Sequence, residues 1–269
     1  MTRPDSNGVH RATPEMADLP RPGDEPTPTD TARAFDELTY QRAKAIIGRY
    51  PQSRSALLPM LHLVQSVQGH VSQQGISFCA EQLGLSTAEV SAVATFYTMY
   101  KRRPGGQHLV SVCTNTLCAA LGGDLIYKKL CDRLGSDGKP LGHEQTVGEP
   151  GATGSITLEH AECLAACDLG PVLQVNYEYY DNQTPQSAAE LVDALRRGEK
   201  PDPTRGAPLT DWRTVERELA GFFDDLPTSA AGNSAADETL VGARLAETNG
   251  WTAPGMPDNA DLPPVPEKK

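Results

Sequence analysis

Four of the six cysteines fall in two short pairs, Cys113 with Cys118 and Cys163 with Cys167. Four and three residues separate the members of each pair, and pairs spaced this way can bring four thiolates to one point. That demand constrains the fold more than any other feature, because two loops far apart in sequence must end beside each other. Four thiolates at one point hold a tetrahedral metal ion or an iron–sulfur cluster.

The 269-residue chain has a formal charge of −11, most of it at the two ends. Residues 1–30 hold three basic and six acidic side chains, and residues 201–269 hold six and twelve, which leaves only −2 for the stretch between. No basic face is available to neutralise phosphates, so nucleic acid is not expected as a partner. The first thirty residues lack the apolar core of a secretory signal. No run approaches the ~18 apolar residues of a membrane-spanning helix. The cysteines are therefore expected in the reducing cytosol, where paired cysteines point to metal or catalysis more than to disulfides.

Four segments follow from the patterning. Residues 1–30, rich in Pro, Thr and Asp, read as a disordered leader. Residues 31–98 read as a helical bundle. Its helices are expected over Phe35–Ile47, over Ser55–Val67 with Leu57, Leu58, Leu61, Val64 and Val67 on one face, after Gly75, and from Ser86. Ser86 and Glu89 have the spacing of a capping box. In residues 99–198 the period changes. His108–Cys113 reads as a strand after the turn residues Pro104, Gly105 and Gly106, Ala119–Leu134 as one helix, and Gly135–Gly154 as a polar loop. Ser155–Glu159 and Val172–Asn176 read as strands, with Tyr177–Tyr180 either prolonging the second or turning back beside it. Pro185–Arg197 reads as a helix closed by Gly198. The order strand–helix–strand–strand–helix indicates a small α/β sandwich. Residues 199–269 read as an extended, acidic, Pro-rich tail with one amphipathic helix at about 211–223. Its apolar face, with Trp212, Leu219 and Phe222, is expected to contact a neighbouring subunit.

Each cysteine pair has a credible place. Cys113 ends a strand and Cys118 is expected just ahead of a helix; Cys163 follows a strand, and Cys167 precedes the turn-forming Asp168–Pro171. Small neighbours, Thr114, Thr116, Ala119, Ala165 and Ala166, allow close backbone approach. Spacing does not choose between a [2Fe–2S] cluster and structural zinc. It does exclude the plant-type ferredoxin run, whose third cysteine would fall at Leu121.

Three stretches in order, Ala92–Tyr100 (AVATFYTMY), Val112–Cys118 (VCTNTLC) and Glu162–Cys167 (ECLAAC), resemble the E-subunit family of NADH-quinone oxidoreductase, the respiratory complex I. The resemblance covers about residues 35–198. It implies an α+β chain, a helical bundle joined to a thioredoxin-like [2Fe–2S] ferredoxin domain. It also implies Cys113, Cys118, Cys163 and Cys167 as ligands of one [2Fe–2S] cluster. FMN and NADH would be bound by a partner subunit, with which this chain exchanges one electron. The adjacent large iron–sulfur subunit is expected as a second neighbour. The place implied is cytoplasmic, on the peripheral arm of a membrane-bound complex. Many relatives have glycine where this chain has Ala165, and many end near Gly198.

No catalytic pair, no dinucleotide-binding glycine motif and no Walker loop occurs in the chain. No complete active site is expected here, only a subunit of an NADH dehydrogenase. The equivalent subunit of an NAD-linked hydrogenase or formate dehydrogenase would share the cysteine pattern, and a zinc-stabilised scaffold is the reading from a different class. Cys79 and Cys131 are read as buried thiols, His160 as a packing or surface residue, and Lys101–Arg103 as a solvated turn.

Overall fold

The computed structural model describes residues 35–223 and 235–255. The leader at 1–30 and the end of the C-terminal stretch lie outside the described residues. Four helices come first: α1 (Glu37–Ile47), α2 (Leu57–Gln68), α3 (Gln73–Leu83) and α4 (Thr87–Phe96). Helix α2 buries Leu57, Met60, Leu61, Leu63 and Val64. Helix α3 starts earlier than its glycine suggests, because Ser72 caps it by accepting from the Gly75 N–H. Gly75 therefore lies in the first turn, where a Cβ would collide with Val64 Cγ1. Its lack of a side chain lets α3 approach α2. Both halves of the Ser86–Glu89 capping box form at the start of α4.

The sheet has five strands: β1 (His108–Cys113), β2 (Gln145–Val147), β3 (Ile156–Ala161), β4 (Leu173–Val175) and β5 (Glu178–Tyr180). Their order is β2-β3-β1-β4-β5. Strand β1 is central, parallel to β3 and antiparallel to β4. Asn176 and Tyr177 both have positive φ, 49° and 69°, and turn the chain back so that β4 and β5 form a tight hairpin.

Between β1 and β3 the expected single helix is two: α5 (Thr116–Ala120) and α6 (Gly123–Leu134). Gly122, at φ 109°, breaks them apart. A Cβ on Gly123 would lie 2.5 Å from the Cys113 carbonyl oxygen, so α6 starts tight against the end of β1. Helices α6 and α7 (Pro185–Arg196) cover one sheet face. Val110, Val112, Ile156, Leu158, Leu173 and Val175 pack there against Ile126, Leu130, Leu134, Leu191, Val192 and Leu195. Strand β2 lies inside the stretch read as loop; three half-exposed residues carry no alternation that would reveal it.

The opposite face carries polar groups. Ser111 Oγ donates to Glu159 at 2.6 Å, and Lys101 Nζ bonds both Glu159 and Glu144. Lys101 is therefore buried rather than part of a solvated turn. Its two carboxylate partners compensate the desolvated ammonium and hold its pKa above the usual lysine value against the opposing effect of burial.

The chain after α7 corrects two expectations. Helix α8 (Trp212–Leu219) is capped by Asp211, which accepts from the Thr214 N–H, and it packs on α2 of the same chain. Trp212 is 2% exposed, so it is core rather than a surface for another subunit; Leu219 remains 42% exposed. Glu216, fully buried on α8, accepts from Tyr177 Oη at 3.3 Å and meets His62 Nδ1 of α2 at 2.6 Å. A second helix, α9 (Asp237–Asn249), lies in the stretch expected to be extended. Among the described residues no helix is long and apolar enough to cross a membrane.

Candidate metal centre

The parallel pairing of β1 and β3 creates the site. Cys113 is in register with Ala161, the last residue of β3, so Cys163 follows two residues later at the same end of the sheet. Loops at the carboxyl ends of adjacent parallel strands face one crevice, and both cysteine loops occupy such ends here. Cys113 closes β1 and is buried; Cys118 sits inside α5 rather than ahead of it, and is also buried. Cys163 and Cys167 are exposed.

The four thiols stand as two pairs. Cys113 and Cys118 lie buried together, with Ala166 and Val172 packed against them, and the Cys113 N–H donates to the Val172 carbonyl at 3.1 Å. Cys163 Sγ and Cys167 Sγ are 3.7 Å apart, and the Ala165 N–H points to Cys163 Sγ at 3.4 Å. Two thiolates on one tetrahedral metal at about 2.3 Å stand about 3.8 Å apart, so the second pair already has that separation. Among the described residues no third His, Cys, Asp or Glu joins either pair in a group suited to a single ion. Burial pushes the Cys118 thiol up to about 11, partly offset by the Val172 N–H. Cys167 is raised chiefly by its hydrogen bond with Cys163.

The surroundings are small and close. A Cβ on Gly170 would sit 3.3 Å from Cys118 Sγ. Ala166 and Val172 pack with Cys113 and Cys118. Ala165 adopts φ 57°, in the left-handed region that favours glycine, and this places its N–H on Cys163. These residues fit an anionic sulfur-ligated group: four thiols on two adjoining loops, an N–H directed at the Cys163 sulfur, and small residues close by.

Cys79 and Cys131 are buried apart from the site, and burial raises Cys79 to about 12. His160 is exposed at the end of β3, with its ring 4.1 Å from that of His143.

The family model of thioredoxin-like [2Fe–2S] ferredoxins matches residues 43–196. The E subunit of NADH-quinone oxidoreductase from Mycobacterium tuberculosis (strain ATCC 25618 / H37Rv) is 54% identical over 215 residues, 80% of this chain and 81% of that one. The protein of the same name from Rickettsia bellii (strain RML369-C) is 34% identical over 166 residues, 61% of this chain and 94% of that one. Among solved structures, the NAD+-reducing [NiFe]-hydrogenase in the H2-reduced state aligns with a TM-score of 0.43 at 13% identity, over 51% of this chain and 22% of that one. The chain belongs to the thioredoxin-like [2Fe–2S] ferredoxin family and, within it, to the E-subunit family of NADH-quinone oxidoreductase.

Proposed function

We propose that this chain is the [2Fe–2S] electron-carrying subunit of the NADH dehydrogenase module of an NADH-quinone oxidoreductase, with Cys113 and Cys118 holding one iron and Cys163 and Cys167 the other. The observation that carries this reading is the meeting of two cysteine loops at one end of the sheet, where Cys163 Sγ and Cys167 Sγ stand 3.7 Å apart and no three of the described His, Cys, Asp or Glu side chains gather around a single point. A single zinc ion needs all four sulfurs around one centre, whereas a binuclear cluster takes two thiolates at each end. When bound, the group supplies one-electron chemistry, exchanged with a flavin held with NADH on a partner subunit. The chain's own residues do the rest. The Ala165 N–H stabilises charge on the Cys163 sulfur. Buried Cys113 and Cys118 keep water from the inner pair, while exposed Cys163 and Cys167 mark the side from which a partner approaches. Leu117, Leu121 and Leu125 expose apolar surface beside the first pair, which supports docking of another subunit there. The flavin- and NADH-binding subunit and the adjacent large iron–sulfur subunit are the neighbours proposed, on the cytoplasmic peripheral arm.

Metal analysis and electron paramagnetic resonance of the purified chain test this. Two irons, two acid-labile sulfides and a paramagnetic signal after dithionite are expected, and replacing Cys113 or Cys163 by serine should lose or perturb that signal while α1–α4 stay folded. A colourless protein with one zinc would overturn the reading.

A further inference from the structure

The second cysteine loop is held from outside by a residue that lies beyond the family-model match, which ends at residue 196. Arg205 is 8% exposed. Its Nε and Nη2 bind both carboxylate oxygens of buried Asp181, at 2.8 and 2.6 Å. That fork fixes the guanidinium plane and leaves Nη1 free to reach outward. Nη1 lies 3.3 Å from Asp168 Oδ2 and 3.4 Å from Thr239 Oγ1, and Thr239 itself donates to the same Asp168 oxygen. Asp168 directly follows Cys167. The guanidinium carbon also sits 5.2 Å from the Tyr179 ring centroid, and Tyr179 Oη donates to the Leu164 carbonyl at 2.7 Å, between Cys163 and Ala165. The backbone completes the anchor: the Tyr179 N–H donates to the Arg205 carbonyl, and the Asn182 N–H donates to that of Leu169.

We infer that Arg205, with Thr239 of α9, is a positioning residue for the exposed thiol pair: a brace from the C-terminal stretch that fixes the Cys163–Cys167 loop and sets the charge beside it. The inference rests on the cluster reading of the site. Cys113 and Cys118 are buried on β1 and α5, with Ala166, Val172, Leu164 and Tyr179 packed against them. The outer pair is less enclosed. Its loop is exposed, its strand ends at Ala161, and Ala165 has a left-handed φ. Asp168 would stand as a lone carboxylate beside the anionic sulfurs. Arg205 brings a buried positive charge to that carboxylate, and Thr239 brings a hydroxyl.

The test uses the full-length chain with R205Q, R205K and T239V. One readout is the rate at which a thiol reagent labels Cys163 and Cys167 in iron-free protein. The others are the rate of iron loss to a chelator and the midpoint potential by redox titration. R205Q is expected to raise labelling and iron loss about tenfold and to shift the potential to more negative values, since it removes a positive charge near the reducible site. R205K should preserve the potential while partly relaxing the loop, and T239V should raise iron loss two- to threefold. Circular dichroism checks that R205Q remains folded; if it does not, R205K and T239V carry the comparison. Wild-type rates and potential in folded R205Q, or in R205K and T239V together, would overturn the brace. A wild-type chain that holds no iron would instead overturn the cluster reading, and the labelling result would stand by itself.

Discussion

Replacing Trp212 by alanine should destabilise the isolated chain itself, before any partner is present. A tryptophan buries about 150–250 Å², which at about 25 cal/mol per Å² is about 4–6 kcal/mol. Two effects lower the loss. The denatured chain already hides part of that surface, and Trp212 Nε1 is buried with no hydrogen-bond partner among the described residues, so its removal relieves a desolvation cost. A loss of about 3–4 kcal/mol remains, within the range for large-to-small core changes. For a chain of this size that lowers the melting midpoint by roughly 6–16 °C. Denaturant unfolding of the purified chain measures it, with Leu219→Ser as control. Leu219 is 42% exposed, and its change should stay within about 0.5 kcal/mol. A W212A loss below about 1 kcal/mol, with weakened binding to another subunit instead, would refute the docking of α8 on α2.

Changing Ala165 to glycine should stabilise the chain. The left-handed φ costs an alanine about 1–2 kcal/mol, and glycine avoids it while adding about 0.5–1 kcal/mol of chain entropy. The expected gain is up to about 1.5 kcal/mol by thermal melting of iron-free protein, and a lower melting point would show that Ala165 is unstrained. Stability should also fall in mild acid through His108. Burial holds its imidazole down at about 4, with Lys200 adding to the effect and Asp211 opposing it, and its Nδ1 faces the Asn176 amide at 3.1 Å. The unfolded chain takes up this proton near pH 6.5 and the folded chain only near 4, so stability present above 6.5 is lost as pH falls through that window, by at most about 3 kcal/mol. Denaturation midpoints of H108Q against pH should lack that component; identical pH profiles would exclude His108 as its source.

The local signals in the sequence were those that depend on a few neighbouring residues. The Ser86–Glu89 capping box, the strand His108–Cys113 and the apolar face of α7 are short-range chemistry, and each forms as its residues dictate. The cysteine pairs were legible for the same reason, since spacing and small flanking residues are local, and the flanking motifs carried the family. Other features depended on contacts far along the chain. Strand β2 is a strand only because β3 lies beside it. Lys101 is buried because Glu159 arrives from 58 residues away, and Trp212 is core because Tyr177 and the Gln107 carbonyl meet it from the sheet domain. Arg205 stands alone in a polar stretch, and no pattern around it signals that Asp181, Asp168 and Tyr179 will converge there. The chain's sequence named the four thiols. Pairing distances then required tertiary structure, because the parallel register of β1 with β3 is what brings the two loops to one end of the sheet. An antiparallel register would have sent them to opposite ends.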